Sequence, residues 1–260
     1  MNQPQVRSTY DRLAASDGDS ATNYYRHAGP DMRLKCLLAL VAKLKPRKIL
    51  EIGCSDGHVL QSLRNATAQG RQTEIYGLDI SEISLQRARG KGFDNVVKSL
   101  AEDLPFRPSS FDLAIASQVL EHIPDLERAT GQAFSVLQPG GHFIITVPLA
   151  DWFKLYKGLI RRAPVKFIDQ ETHIREWSLV PFQGFVSKDQ LLSQLEKSGF
   201  AVRLCRGSFF WSWRLERLAD RARLTVPWAY DMLRTWDAVL GSTPVLRWMS
   251  RYLIIVSQKA

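Results

Sequence analysis

Residues Lys48-Ile49-Leu50-Glu51-Ile52-Gly53-Cys54-Ser55-Asp56-Gly57-His58-Val59-Leu60 decide the fold of this 260-residue chain. Ile49, Leu50 and Ile52 form the short apolar run of a strand buried on both faces of a parallel sheet. Gly53 and Gly57 bracket a turn of small residues that brings backbone close to a ligand with no side chain in the way. Val59, Leu60, Leu63 and Ala66 then recur at helical spacing. A helix N-terminus facing such a turn offers free N–H groups to an anionic or polar ligand.

Two phosphate-binding patterns fail here. A dinucleotide turn needs G-x-G-x-x-G, and Ser55 and His58 stand at its second and third glycines. A phosphate loop needs Lys and then Ser or Thr after its last glycine, and neither is present. A second strand, Ile75-Tyr76-Gly77-Leu78-Asp79-Ile80, ends in an acid 22 residues after Gly57. An acid at that place, about 20 residues past the glycine turn, accepts hydrogen bonds from a ribose diol. Capping the helix that opens near Ser81 is the alternative use of Asp79.

Three more blocks follow in order. They are Ala101-Glu102-Asp103-Leu104-Pro105-Phe106 with Ser110-Phe111-Asp112, then Gln118-Val119-Leu120-Glu121-His122-Ile123-Pro124-Asp125, then Val136-Leu137-Gln138-Pro139-Gly140-Gly141. With Glu51, Gly53 and Gly57 they resemble the class I S-adenosylmethionine (SAM) dependent methyltransferases, in particular the small-molecule branch that carries an L-E-H block. Two positions depart from that family. Ser55 replaces the middle glycine of the first motif, and Leu100 replaces the acid that accepts from the adenine amino group. The resemblance implies an α/β fold, a mostly parallel doubly wound sheet with an antiparallel last strand. It also implies SAM as cofactor and no metal. Glu51, Gly53, Cys54, Ser55 and Gly57 would line the cofactor from the first turn, Asp79 and Ile80 from the second. Ala101, Glu102 and Ser117 would line it from the third and fourth, with Glu102 or Asp103 standing in for the missing acid.

Hydrophobic content of 45% and charged content of 23% are globular values. Cys36, Cys54 and Cys205 are widely spaced and form no metal or redox motif, which suits a reducing compartment such as the cytoplasm. Residues 1–15 hold no apolar run, so no signal peptide is expected. No stretch reaches the roughly 18 apolar residues of a spanning helix. The charge is uneven. Residues 1–148 carry 17 Lys+Arg against 16 Asp+Glu, a net of +1; residues 149–260 carry 18 against 10, a net of +8. All seven tryptophans lie in the basic part, from Trp152 to Trp248. Such a field favours an acidic substrate, nucleic acid or a membrane surface.

Residues 1–30 read as a lid carrying Tyr10, Tyr24 and Tyr25, or as a tail. The methyltransferase domain is assigned to 31–206 and 249–260. Within it, Asp31 caps a helix, Ser81 opens another that Gly90 closes, and Leu126 to Val136 form a third. Ser187 and Gln190 make a capping box for a fourth helix, which Gly199 stops. Residues 207–248 form a helical insertion before the last strand, Tyr252–Val256. It is read as a cap, a homodimer face or an interfacial surface, the last because Trp beside Arg and Lys suits a bilayer headgroup region. Together with 149–162 it would make peripheral membrane contact.

Transfer to a hydroxyl or carbon acid needs a proton acceptor, and His122 and His173 are the candidates. Strand four lacks the Asp/Asn-Pro-Pro-aromatic block of base amino methylation, and no Pro-Cys pair offers a thiolate. Nucleic acid is therefore disfavoured. A small-molecule or lipid- or glycan-linked acceptor, methylated on oxygen, is the expectation. An RNA methyltransferase using the basic C-terminal half and a non-catalytic SAM-binding partner protein are the alternatives.

Overall fold

The computed structural model describes residues 10–11, 14–15, 32–68, 72–148, 188–208, 236, 239, 243 and 252–260. His173, Tyr24, Tyr25, the 149–162 segment and nearly all of 1–30 and 207–248 lie outside the described residues. The chain order is α1 (Met32–Leu44), β1 (Lys48–Ile52), α2 (His58–Thr67), β2 (Glu74–Asp79), α3 (Glu82–Gly90) and β3 (Val96–Lys98). Then come β4 (Phe111–Ser117), a 3₁₀ turn (Leu120–His122), α4 (Leu126–Val136), β5 (Leu137–Pro148), α5 (Lys188–Lys197), β6 (Phe200–Ser208) and β7 (Tyr252–Lys259).

The strands form one sheet in the order β3-β2-β1-β4-β5-β7-β6. The first five are parallel, and β7 runs antiparallel between β5 and β6. The expected α/β sheet with its antiparallel last strand is therefore present. Alternation along β1 explains the layering, because successive side chains point to opposite faces. Ile49 meets Leu37 and Val41 of α1 and Val59 and Leu63 of α2 on one face. Leu50 and Ile52 meet the side that holds Ala129 and Ala133 of α4 and Leu191 and Leu195 of α5. Both faces are covered, so the central strands read as continuous apolar runs.

Ser81 starts its helix as the sequence predicts, its Oγ accepting from the Ser84 N–H at 3.3 Å; Asp125 Oδ1 caps α4 by accepting from the Arg128 N–H at 2.9 Å, and the expected caps Asp31 and Ser187 lie outside the described residues. β3 ends at Lys98, and Leu100 O accepts from the Asp103 N–H in the turn that follows. β5 begins at Leu137, which pairs with Phe111 across a register shift. β6 runs to Ser208, because its ladder with β7 continues as far as Tyr252.

The Ser110-Phe111-Asp112 block has a structural role. Asp112 Oδ2 accepts from the Arg47 and Lys48 N–H groups, both at 2.8 Å, and Oδ1 from Gln138 Nε2 at 2.7 Å. One carboxylate thus joins the starts of β1, β4 and β5. Phe106, Phe111 and Tyr76 pack edge to face, with centroids 5.0 to 6.2 Å apart, and fasten the Leu-Pro-Phe segment against β2. Replacing Asp112 by Ala is expected to destabilise the fold by about 1–3 kcal/mol, since three donors lose a charged acceptor. Chemical denaturation of the two proteins would measure it, and an unchanged midpoint would remove Asp112 from this role.

Candidate active site

In a parallel sheet, ligands bind beyond the carboxyl ends of the strands. Here β1, β2 and β4 deliver Gly53, Asp79 and Ser117 to that edge. The turn after β1 folds back on β2, with the Gly53 and Cys54 N–H groups both donating to Leu78 O at 2.7 and 2.9 Å. Gly53 has φ +74°, and a Cβ there would collide with Val119 Cγ2. Gly57 has φ +82° and leads into α2. Ser55, in place of the family's glycine, also takes left-handed backbone, with φ +48°. A side chain at such φ costs energy and needs compensation.

Asp79 supplies that compensation. Its Oδ2 accepts from the Ser55 N–H at 2.8 Å and its Oδ1 from the Ser81 N–H at 2.9 Å. Asp79 is not the cap of α3; Ser81 is. The Ile80 amide acts on the carboxylate as well, so three backbone donors leave it part of its acceptor capacity for a ligand hydroxyl. Surrounding protein raises the Asp79 pKa, partly offset by these amides. Glu51 is buried, with the Leu60 amide on it and Oε2 unpartnered. Burial first, then Asp79 and Asp56, raise its pKa well above the carboxylate range. Asp56 is buried as well, pairing through Oδ2 with Lys91 Nζ at 2.7 Å. The remaining acceptor capacity of Asp79 and an orphaned buried oxygen on Glu51 fit a ligand that carries hydroxyls and positive charge.

Among the other expected residues, Cys54 and Ala101 are buried and Ile80 is half-buried beside Asp79. The Glu102 carboxylate faces the Asp125 amide and Arg128 at the start of α4. Ser117 Oγ lies 3.1 Å from Thr146 Oγ1. His122 is partly exposed, with Nε2 3.9 Å from Glu121 Oε1. Val119 seats this 3₁₀ turn on Gly53, so Glu121 and His122 stand beside the glycine turn.

Sequence reasoning missed three contributors. Gln118 has φ +59°, donates its N–H to Thr146 O at 2.8 Å, and keeps Oε1 buried without a partner. Asp11 accepts from Ser81 Oγ at 2.9 Å and lies 3.7 Å from Lys98 Nζ. Arg33 is buried and stacks over the Tyr252 ring at 4.3 Å, within electrostatic reach of Glu121. Tyr10, read from sequence as part of a lid or tail, sits where burial, Asp79 and Glu121 raise its pKa. The N-terminal segment therefore reaches the site at Tyr10 and Asp11. Only tyrosine content hinted at it, and nothing local marks Asp11 or Arg33.

Asp79→Ala should weaken SAM binding by about 1–3 kcal/mol, the cost of leaving ribose hydroxyls unpaired. It should also lower thermal stability, because the Ser55 and Ser81 amides lose their acceptor. Calorimetric titration with SAM measures the first effect. Unchanged affinity would restrict Asp79 to holding the backbone.

The comparisons agree with this geometry. Residues 24–204 match a family model described as a methyltransferase domain. A ubiquinone/menaquinone biosynthesis C-methyltransferase from Rickettsia typhi is 28% identical over 58% of this chain and 67% of its own length. A mitochondrial ubiquinone biosynthesis O-methyltransferase from Rattus norvegicus is 29% identical over 65% of this chain and 50% of its own. The chain thus spans between half and about two thirds of these curated relatives. Among solved structures, a SAM-dependent methyltransferase from Thermotoga maritima superposes with a TM-score of 0.60 at 18% identity, covering 96% of this chain and 99% of that one. One from Mesorhizobium loti gives 0.53 at 21%, covering 81% and 90%. A turn latched by Asp79 at the edge of a 3-2-1-4-5-7-6 sheet and a family match over most of the chain lead to one conclusion: this chain belongs to the class I SAM-dependent methyltransferases.

Proposed function

We propose that this protein methylates a hydroxyl of a small-molecule or lipid- or glycan-linked acceptor. The observation that carries the reading is the seating of Val119 on Gly53. It sets the Glu121–His122 pair directly beside the cofactor turn. SAM, when bound, supplies a methyl group on a positively charged sulfur. Asp79 would hold its ribose, and the Gly53–Gly57 turn with the start of α2 would face its polar end. Alignment of acceptor and methyl provides much of the rate in such a displacement. A hydroxyl acceptor must also lose a proton, and this edge offers groups to take it. His122, the half-buried member of the pair, gives that proton a way to solvent. Relatives named as a ubiquinone/menaquinone biosynthesis C-methyltransferase and a ubiquinone biosynthesis O-methyltransferase match at similar identity, and both names support a small-molecule acceptor.

A lipid-linked acceptor fits the charge distribution. The +8 net charge and seven tryptophans of 149–260 suit an anionic bilayer surface reached from the cytoplasm. Trp236 and Val239, three residues apart, are 53% and 50% exposed. The attachment proposed is peripheral; among the described residues no helix is long and apolar enough to cross a membrane.

Incubation with methyl-labelled SAM and fractionated cell extract is expected to place label in the lipid-soluble fraction. Label that RNase removes would favour an RNA acceptor instead, and SAM binding with no labelled fraction would favour a non-catalytic partner protein. Sedimentation with anionic vesicles should pellet the protein at low salt and release it at high salt, since each surface Lys or Arg contributes about 1 kcal/mol that fades within a Debye length. Equal, negligible pelleting with anionic and neutral vesicles would end the membrane proposal.

A further inference from the structure

Glu121 is 2% exposed, and neither carboxylate oxygen has a hydrogen-bond partner. It is not a core residue by chemistry, because an unpaired buried carboxylate is costly. Its place is set by the 3₁₀ turn that follows β4 at the ligand edge. The groups facing it come from three directions. His122 Nε2, on its own turn, is 3.9 Å from Oε1, beyond hydrogen-bond length. The Arg33 guanidinium approaches from the first turn of α1. The Tyr10 hydroxyl approaches from the N-terminal segment. α1 runs back across the sheet before β1, so its first turn lies at the ligand edge. Tyr252, under Arg33, pairs with Pro148 at the end of β5 on the same edge.

We infer that Glu121 is the catalytic proton acceptor for the incoming hydroxyl, with His122 passing the proton on to solvent. The inference rests on the methyltransferase reading above and deepens it. As the acceptor oxygen bonds to the methyl carbon, the carbon–sulfur bond breaks and its electron pair stays on sulfur. The hydroxyl proton passes to a free Glu121 oxygen. Arg33 remains as the cation that compensates the carboxylate before the transfer. Two unspent oxygens make Glu121 better placed than His122 for the first transfer. Burial, against the smaller opposing effects of its own backbone amide and then Arg33, pushes the Glu121 pKa up to about 8. A base poised near the working pH combines the ionised form with a useful proton affinity.

The isosteric change Glu121→Gln tests this with two readouts. The first needs no cofactor. The folded protein keeps the Glu121 proton up to about pH 8, whereas the unfolded chain releases it near the ordinary value of 4.5. Wild-type stability is therefore lost through this group as pH rises across that window. The melting temperature of the Gln variant relative to wild type should rise through the window and level off above it. Glu51 is unchanged in both proteins and cancels. The second readout is the rate of label transfer from SAM to the extract fraction that wild type methylates. Wild type should show a rising limb near pH 8. The variant should lose that limb and fall roughly 10²–10⁴-fold in turnover, with SAM affinity within a few-fold. A variant that keeps the limb, a melting-temperature difference independent of pH, or loss of SAM binding in the variant alone would each overturn the assignment. Wild type that binds no SAM would instead overturn the methyltransferase reading, with the melting comparison still standing.

Discussion

The carboxylate of Asp79 is the interaction on which the ligand edge depends. The turn after β1 puts a serine, not a glycine, into left-handed backbone, and an L side chain does so reluctantly. The Ser55 N–H is held by Asp79 Oδ2, so strain in the first turn is offset by an acid at the end of the second strand. The other oxygen holds the Ser81 N–H, just where α3 begins. One side chain therefore sets the glycine turn, the end of β2 and the entry to α3. Its remaining acceptor capacity lies at the carboxyl edge of the sheet, where ligands of such sheets bind.

The fold was legible in the sequence to the extent that it is periodic. Ile49, Leu50 and Ile52 announce a strand buried on both faces, and the 3.6-residue recurrence of Leu34, Leu37, Leu38 and Val41 announces α1. Ser81 and Asp125 cap as hydroxyl and carboxylate side chains do. The site was legible only where a local motif carries it: the turn, Asp79, and the block ending in Glu121 and His122. Arg33, Asp11, Gln118 and Thr146 were not. Each is an ordinary residue in its own segment, and acquires its place through a contact with a distant one: Gln118 with Thr146, Asp11 with Ser81, Arg33 with Tyr252. Asp112 shows the same limit. It resembles a family block near the adenine, yet its hydrogen bonds go to the starts of β1 and β5, some distance down the sheet.

The two halves of the site are coupled through apolar contact rather than charge. Val119 fills the space that a Cβ on Gly53 would need. A bulkier residue at either position would separate the cofactor turn from the 3₁₀ turn that carries Glu121. Val119 itself leads from Gln118, whose left-handed backbone is held by Thr146 of β5. The chain from β5 through Gln118 and Val119 to Gly53 thus crosses from the strand beside β4 to the turn after β1, and it fixes the spacing between the glycine turn and the 3₁₀ turn of Glu121 and His122. A displacement there of even an ångström would be felt in rate, since in-line transfer depends on alignment.

Electrostatics then explains why a site this acidic is stable and what it prefers to bind. Glu51, Asp79 and Glu121 are all pushed toward the protonated form by burial, and Asp79 and Asp56 add to the effect at Glu51. Among the described residues, Lys91 is committed to Asp56, and Arg33 stands beside Glu121. Among the described residues the buried carboxylates at this edge outnumber the cations, in low-dielectric surroundings where a compensating charge interacts more strongly than in water. A cationic ligand relieves the repulsion between Glu51 and Asp79, while a neutral one of the same shape leaves it in place. After methyl transfer the sulfur is neutral, so part of that compensation is lost. The same carboxylates that favour the charged cofactor thereby favour release of its demethylated product.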